Sequence, residues 1–143
     1  MPLARFDTPF EHPDWIFEPK LDGIRAVAYI EGGACRLVSR NRNAFKTFEP
    51  LAQAIAHDLS GRSAILDGEI VHPGPDGRPM FYELMRRRGP FCFYAFDLLW
   101  LDGKDLRDRP LLERSRFSGS WSRGTRSQFC MWNTSRLARI CSA

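Results

Sequence analysis

Lysine is rare in this 143-residue chain, which places it only at positions 20, 46 and 104 against 18 arginines. The first stands in Phe17-Glu18-Pro19-Lys20-Leu21-Asp22-Gly23-Ile24-Arg25, between two carboxylates and a guanidinium. An amine can lose its proton and attack an electrophile, whereas guanidinium stays charged because its pKa exceeds ~12. In an extended segment residues i and i+2 share a face, so Glu18, Lys20 and Asp22 project together while Pro19 and Leu21 face away. Taken alone, the segment fits either a nucleophile or a lysine paired with Asp22 on a solvated rim.

Further along lie groups that could serve such a nucleophile. Ser39-Arg40-Asn41-Arg42-Asn43 is polar, turn-forming and doubly basic, which suits a bound phosphate or a plain solvated loop. Ile65-Leu66-Asp67-Gly68-Glu69-Ile70-Val71 reads as a strand with Asp67 and Glu69 on one face, where two acids need water, a cation or a hydroxyl-bearing ligand; taken alone, it fits best an edge strand with its wet face outward. Arg86-Arg87-Arg88 is either a solvated run or a contact for a DNA backbone. His12, His57 and His72 are scattered, and the four cysteines show neither Cys-x-x-Cys nor metal-site spacing, so reduced thiols are expected.

The elements that must position these groups follow from the patterning. Residues 1–14, with Pro2, Pro9 and Pro13, read as an irregular arm. Alternation from Ile24 to Ile30, the turn Gly32-Gly33 and the return Ala34 to Ser39 predict a hairpin. Pro50, with Leu51, Ala54, Ile55 and Leu59 at helical spacing, predicts an amphipathic helix over about 50–59. His72 to Pro79 is a loop, and Met80 to Arg88 a short helix. Phe91 to Leu101, the most apolar stretch, reads as a central strand buried on both faces; Asp102-Gly103 turns it, and a helix is expected to begin near Pro110.

At this length one compact domain is expected, with no apolar run long enough to span a membrane and no signal-peptide core, so the expected location is cytoplasmic. The formal net charge of +4 is unevenly held. Residues 1–113 carry 15 Lys+Arg against 17 Asp+Glu, and residues 114–143 carry six arginines and no acid.

Four features now stand in one order: Glu18 to Arg25 around Lys20, Ser39-Arg40-Asn41, Leu66-Asp67-Gly68-Glu69-Ile70, and Tyr94-Ala95-Phe96-Asp97-Leu98-Leu99 with Leu101-Asp102-Gly103. Lys-x-Asp-Gly-x-Arg resembles the nucleophile motif of the covalent nucleotidyltransferases. The ordered set over about residues 6–113 resembles the adenylation domain of ATP-dependent DNA ligases, most like the bacterial kind of end-joining repair and recombination. That resemblance implies an α+β fold, an antiparallel sheet with packed helices, here the N-terminal part of an ATP-grasp-like domain. It implies that Lys20 attacks the α-phosphate of ATP to form lysine–AMP. That step needs a neutral amine, hence a basic neighbourhood and bound metal, with Mg2+ as the family's cofactor. By the same resemblance Glu18 lies beside the adenine amino group, Arg25 and Arg40 hold ribose, phosphate or the nicked strand, Glu69 meets the ribose hydroxyl, and Phe96 stacks on adenine. Asp22 and Asp67 are orienting groups. No residue is assigned to the metal. The implied partners are nicked or broken double-stranded DNA and end-joining repair proteins. RNA ligases, capping enzymes and a non-catalytic nucleotide- or DNA-binding remnant are the alternatives.

The pattern breaks after Glu113. Family members continue into a strand with a metal-binding glutamate and a Lys-x-Lys strand, but this sequence has no acid after Glu113 and no lysine after Lys104. The expectation is therefore a partial adenylation domain over residues 1–113, inactive or impaired in isolation, with an open sheet edge prone to self-association. Residues 114–143 are expected to be an aberrant or disordered basic tail: the first reading is out-of-frame translation of what was once the rest of a ligase gene, and the other is a genuine but disordered basic tail serving as a DNA tether.

Overall fold

The computed structural model describes residues 18, 20–117 and 129–131, with side chains described up to Arg114. The expected N-terminal arm and most of the expected tail lie outside the described residues. The architecture is a sheet, antiparallel but for one parallel pair, with packed helices.

Alternation of small apolar and polar residues makes β1 (Ile24–Glu31) a strand with two different faces. Ala26, Ala28 and Ile30 point into the core and Arg25, Val27 and Tyr29 point away from it. Gly32 and Gly33, both at positive φ (58° and 78°), make the tight turn that returns the chain as β2 (Ala34–Ser39) in antiparallel register, Tyr29 opposite Arg36. A single 3-10 turn, Lys46–Phe48, then leads into α1 (Glu49–Asp58), started by a proline in its first turn. Its buried stripe of Leu51, Ala52, Ile55 and Ala56 packs on the sheet.

The next strand, β3 (Ala64–Val71), lies between β1 and β4 (Cys92–Leu101), so its carboxylates do not sit on a sheet edge. The core of Leu66, Ile70, Phe93, Ala95 and Leu98 meets α1 on one side of this sheet, with Leu84 of the short helix α2 (Phe81–Met85) and Leu106 closing its ends. Cys35 is packed against that core, and burial pushes its thiol up to about 12, which keeps it protonated and unreactive.

Two expectations change. The apolar run 92–101 is not buried on both faces: Phe93, Ala95 and Leu98 are, while Tyr94, Phe96 and Asp97 are only half-buried. An apolar run carries no period, so a two-sided strand and one that offers aromatic groups to a site look alike in sequence. The outer edge of β4 is not left open along its length. Trp100 and Leu101 pair with β5 (Lys104–Asp105), and Phe93 to Ala95 pair in parallel with β6 (Phe129–Met131). The helix expected near Pro110 is α3 (Leu111–Phe117), and β6 lies within the segment after residue 113.

Candidate active site

The face of the sheet turned away from α1 gathers most of the residues singled out above. Lys20 sits on the approach to β1, its side chain 85% exposed and bonded to Asp22, two residues on. That approach runs hard against the end of β3. A Cβ at Gly23 would lie 2.2 Å from the Ile70 carbonyl oxygen and 2.8 Å from Glu69 Cγ, so only glycine fits there. The backbone N–H of Gly23 donates to the Glu69 carboxylate, which ties the Lys20 segment to β3.

Glu69 stands opposite Arg25 across β1 and β3, but the guanidinium reaches past it to Asp67. Nε donates to Oδ1 at 3.0 Å and Nη2 to Oδ2 at 2.6 Å. The same guanidinium lies over the ring of Phe96, 5.1 Å from its centroid. Phe96 reaches that position through an irregularity in β4. Gly68 pairs with Ala95 and Asp67 with Asp97, leaving Phe96 as the extra residue of a bulge that turns its side chain with that of Asp97 toward the open face. Gly68 permits the close pairing, since a Cβ there would meet the Tyr94 carbonyl oxygen at 2.5 Å and the Phe93 ring at 2.6 Å.

Arg40 enters from β2's far end. The turn after Ser39 is fixed by Ser39 N–H donating to the Asn43 carbonyl (2.9 Å), Arg42 N–H to the Ser39 carbonyl (2.9 Å), and positive φ (62°) at Arg42. Arg40 thereby lines an open groove of about 370 Å³ with Arg25, Val27, Val38 and Asp67. Partial burial, and then the charge of Asp97, push Glu18 above its ordinary value. Burial likewise pushes Glu69 upward, against the Gly23 N–H, Arg25 and Lys20.

The expected basic neighbourhood of Lys20 is not what the structure contains. The hydrogen bond that the amine donates to Asp22, then the charge of Asp22, raise its pKa above the ordinary 10.5, and Glu69 adds to the effect. The neighbouring acids Asp22 and Glu69 dominate this exposed ammonium, while Arg25 is engaged by Asp67. An amine held in this way would have to shed both Asp22 and a proton before it could attack an electrophile.

Two functional candidates escaped the sequence reading. Asp97 is gripped by Arg114, Nε to Oδ1 at 2.8 Å and Nη2 to Oδ2 at 2.9 Å, with both side chains under a fifth exposed. The detectable signal was Asp97 itself, since a carboxylate inside an apolar strand needs a cation. Nothing in the spacing pointed to Arg114.

An amine, an aromatic platform, two arginines and carboxylates that accept from hydroxyls suit a purine nucleotide with its phosphates toward the lysine. For a divalent ion the fit is partial. Among the described residues no three His, Cys, Asp or Glu side chains converge, and Asp67 and Asp97 are each occupied by an arginine.

A family model described as ATP dependent DNA ligase domain matches residues 5–118. The DNA ligase of Pyrobaculum calidifontis is 36% identical over 113 residues, covering 69% of this chain and 19% of that protein. The multifunctional non-homologous end joining DNA repair protein LigD of Mycobacterium tuberculosis is 41% identical over 95 residues, 64% of this chain and 12% of that protein. Among solved structures, the ligase domain of M. tuberculosis LigD superposes with a TM-score of 0.72 at 30% identity, over 90% of this chain and 43% of that one. A mycobacterial DNA ligase D complexed with ATP and MES gives 0.73 at 30% identity, over 90% and 44%. The chain thus spans less than half of the ligase domains and under a fifth of the full-length relatives. With the matched family model extending over most of its length, the chain belongs to the ATP-dependent DNA ligase family.

Proposed function

We propose that this chain is the nucleophile-bearing part of an adenylating DNA ligase module of the end-joining repair type, acting in the cytoplasm on nicked or broken duplex DNA. The convergence of Lys20, Glu69, Arg25 and Phe96 on one sheet face supports this reading. Adenine stacks on Phe96 with Glu18 near its amino group. Glu69 accepts from a ribose hydroxyl, and Arg25 and Arg40 hold phosphate or the nicked strand. The neutral Lys20 amine attacks the α-phosphorus; the P–N bond forms as the bond to pyrophosphate breaks, and the amine's second proton passes to solvent. Mg2+ would neutralise the phosphates as the transfer proceeds.

As this chain alone, adenylation is expected to be slow. Residues 114–143 offer neither the lysines nor the acid that would clamp the phosphates and the metal. The same proposal includes an out-of-frame origin for the sequence beyond α3, which an alternative frame lacking a metal-binding glutamate and a Lys-x-Lys in the coding DNA would refute. The direct test is incubation with ATP labelled at the α-phosphate and Mg2+. A covalent label lost in Lys20→Ala supports the reading; nucleotide binding without label points to a non-catalytic remnant; a preference for GTP points to capping chemistry.

A further inference from the structure

Asp67 and Asp97 are register partners on neighbouring strands, with Phe96 bulged beside them. Like charges directly opposite one another on a sheet repel, and they are costlier where water is scarce. Two arginines from opposite directions offset the repulsion. Arg25 comes from β1 and takes Asp67, while Arg114 comes from α3 and takes Asp97. The two clamps differ in kind. Arg25 is 63% exposed, whereas Arg114 is 15% exposed and its Nη1 also donates to the carbonyls of Arg107 (2.8 Å) and Arg109 (3.0 Å). One guanidinium therefore fastens the strand bulge, the loop before α3 and the helix itself with four hydrogen bonds.

We infer that Arg114 is a positioning residue for the nucleotide platform: through its fork to Asp97 it holds the β4 bulge that sets Phe96 beneath Arg25. The nucleotide role of Phe96 rests on the function proposed above; the mechanical link from Arg114 to Phe96 does not. Without Arg114, Asp97 faces Asp67 with Arg25 as the cation between them. Arg25 is then drawn from its place over Phe96, and the bulge loses its anchor. Lysine cannot substitute, because one ammonium cannot make the bidentate fork and reach two carbonyls together.

The test uses the full chain with fluorinated phenylalanine, the Phe96 resonance being assigned by its absence in Phe96→Leu. In Arg114→Lys, with folding verified by far-UV circular dichroism and unmoved resonances of the core rings Phe48 and Phe93, the Phe96 signal is expected to shift or broaden. ATP affinity should fall on the order of ten-fold, as loss of a base–aromatic stack would cause. In the Phe96→Leu background, Arg114→Lys should then change affinity little, because both act on one platform. If Arg114→Lys does not fold, Arg114→Met with Asp97→Asn removes both charges, and the same Phe96 signal is read there. An unmoved Phe96 resonance in a folded variant, or full additivity of the two substitutions, overturns the inference. A wild-type chain that binds no ATP while its Phe96 signal still responds to Arg114 refutes the nucleotide reading and leaves the positioning role standing.

Discussion

Asp67 and Asp97 face each other across β3 and β4, each carboxylate held bidentately by its own arginine, one solvent-washed and the other enclosed. An exposed pair is worth about 0–1 kcal/mol, while stranding one member of an enclosed pair costs more, roughly 2–3 kcal/mol where burial is partial. Asp97→Ala should therefore lower unfolding stability by about 2 kcal/mol or more, and Asp67→Ala by less than about 1 kcal/mol. Urea titration of the two variants decides it; equal losses would show that enclosure does not separate the clamps.

The carboxyl of Glu69 gives a pH dependence of defined sign. Burial holds its folded value above the ordinary 4.5, so the folded chain keeps this proton to higher pH than the unfolded chain does. Stability from this group is complete below about 4.5 and is lost as pH rises through the raised folded value; Glu18 acts in the same direction. Glu69→Gln should flatten that decline and raise the thermal midpoint at pH 7, while weakening nucleotide binding through loss of the ionised acceptor. Melting curves from pH 4 to 8 for both proteins test this, and a midpoint at pH 7 that falls on substitution would oppose it. On the acid side Asp105, held at about 2 by Arg107, contributes stability above its ordinary 3.8 that is lost as pH falls toward 2.

Much of this arrangement was legible in the sequence because it is local. The β1–β2 hairpin follows from Gly32-Gly33 between alternating runs, and the shared face of Asp67 and Glu69 follows from the strand period. What stayed hidden is set by pairing rather than by pattern. The bulge at Phe96 exists only in the register of β4 against β3, and the Asp97–Arg114 clamp joins residues 17 apart through a loop and a helix turn. The neutral amine that the resemblance requires belongs to the loaded site, whereas in the free chain the nearest acids raise the pKa of Lys20.

Lys20 titrates in a chain with three lysines, so its ammonium resonance can be followed directly. The Asp22 bond and charge hold it above 10.5, and Asp22→Asn should lower its midpoint toward that value. Adenylation by the variant, where detectable, should then reach a given rate at lower pH, whereas Lys20→Ala abolishes it at every pH. A Lys20 midpoint unchanged by Asp22→Asn would show that the pair does not control the nucleophile.

The helix α2 exposes Tyr82 (81%) and Met85 (56%) directly before Arg86, Arg87 and Arg88. Arginines beside an exposed aromatic suit a nucleic-acid backbone with a base stacked against the ring. Arg86 is paired with Glu83 and Arg87 donates to Thr47 Oγ1, so part of this charge is already engaged. Replacing all three arginines by alanine should weaken binding to nicked duplex and reduce the salt slope by about 0.9 for each phosphate no longer neutralised. Binding measured across a salt series gives the slope; an unchanged slope would show that these three arginines neutralise no phosphate.

The pairing of β6 with β4 separates a structured C-terminal segment from a structureless one. Cys130 is the register partner of Tyr94 in a parallel pair, which puts their Cα atoms at the ~4.8 Å strand spacing, within the range a disulfide spans. Tyr94→Cys should therefore form an intramolecular disulfide with Cys130 under mild oxidation. Peptide mapping would identify the bridge, and Cys130→Ser would abolish it. Because β6 covers the β4 edge at Phe93 to Ala95, deleting residues 118–143 should also increase self-association, as an uncovered strand edge invites pairing. If the thiol introduced at position 94 instead bridges indiscriminately to Cys130 and Cys141, or the deletion leaves the chain as monomeric as before, β6 does not guard this edge and the segment beyond α3 behaves as a tether.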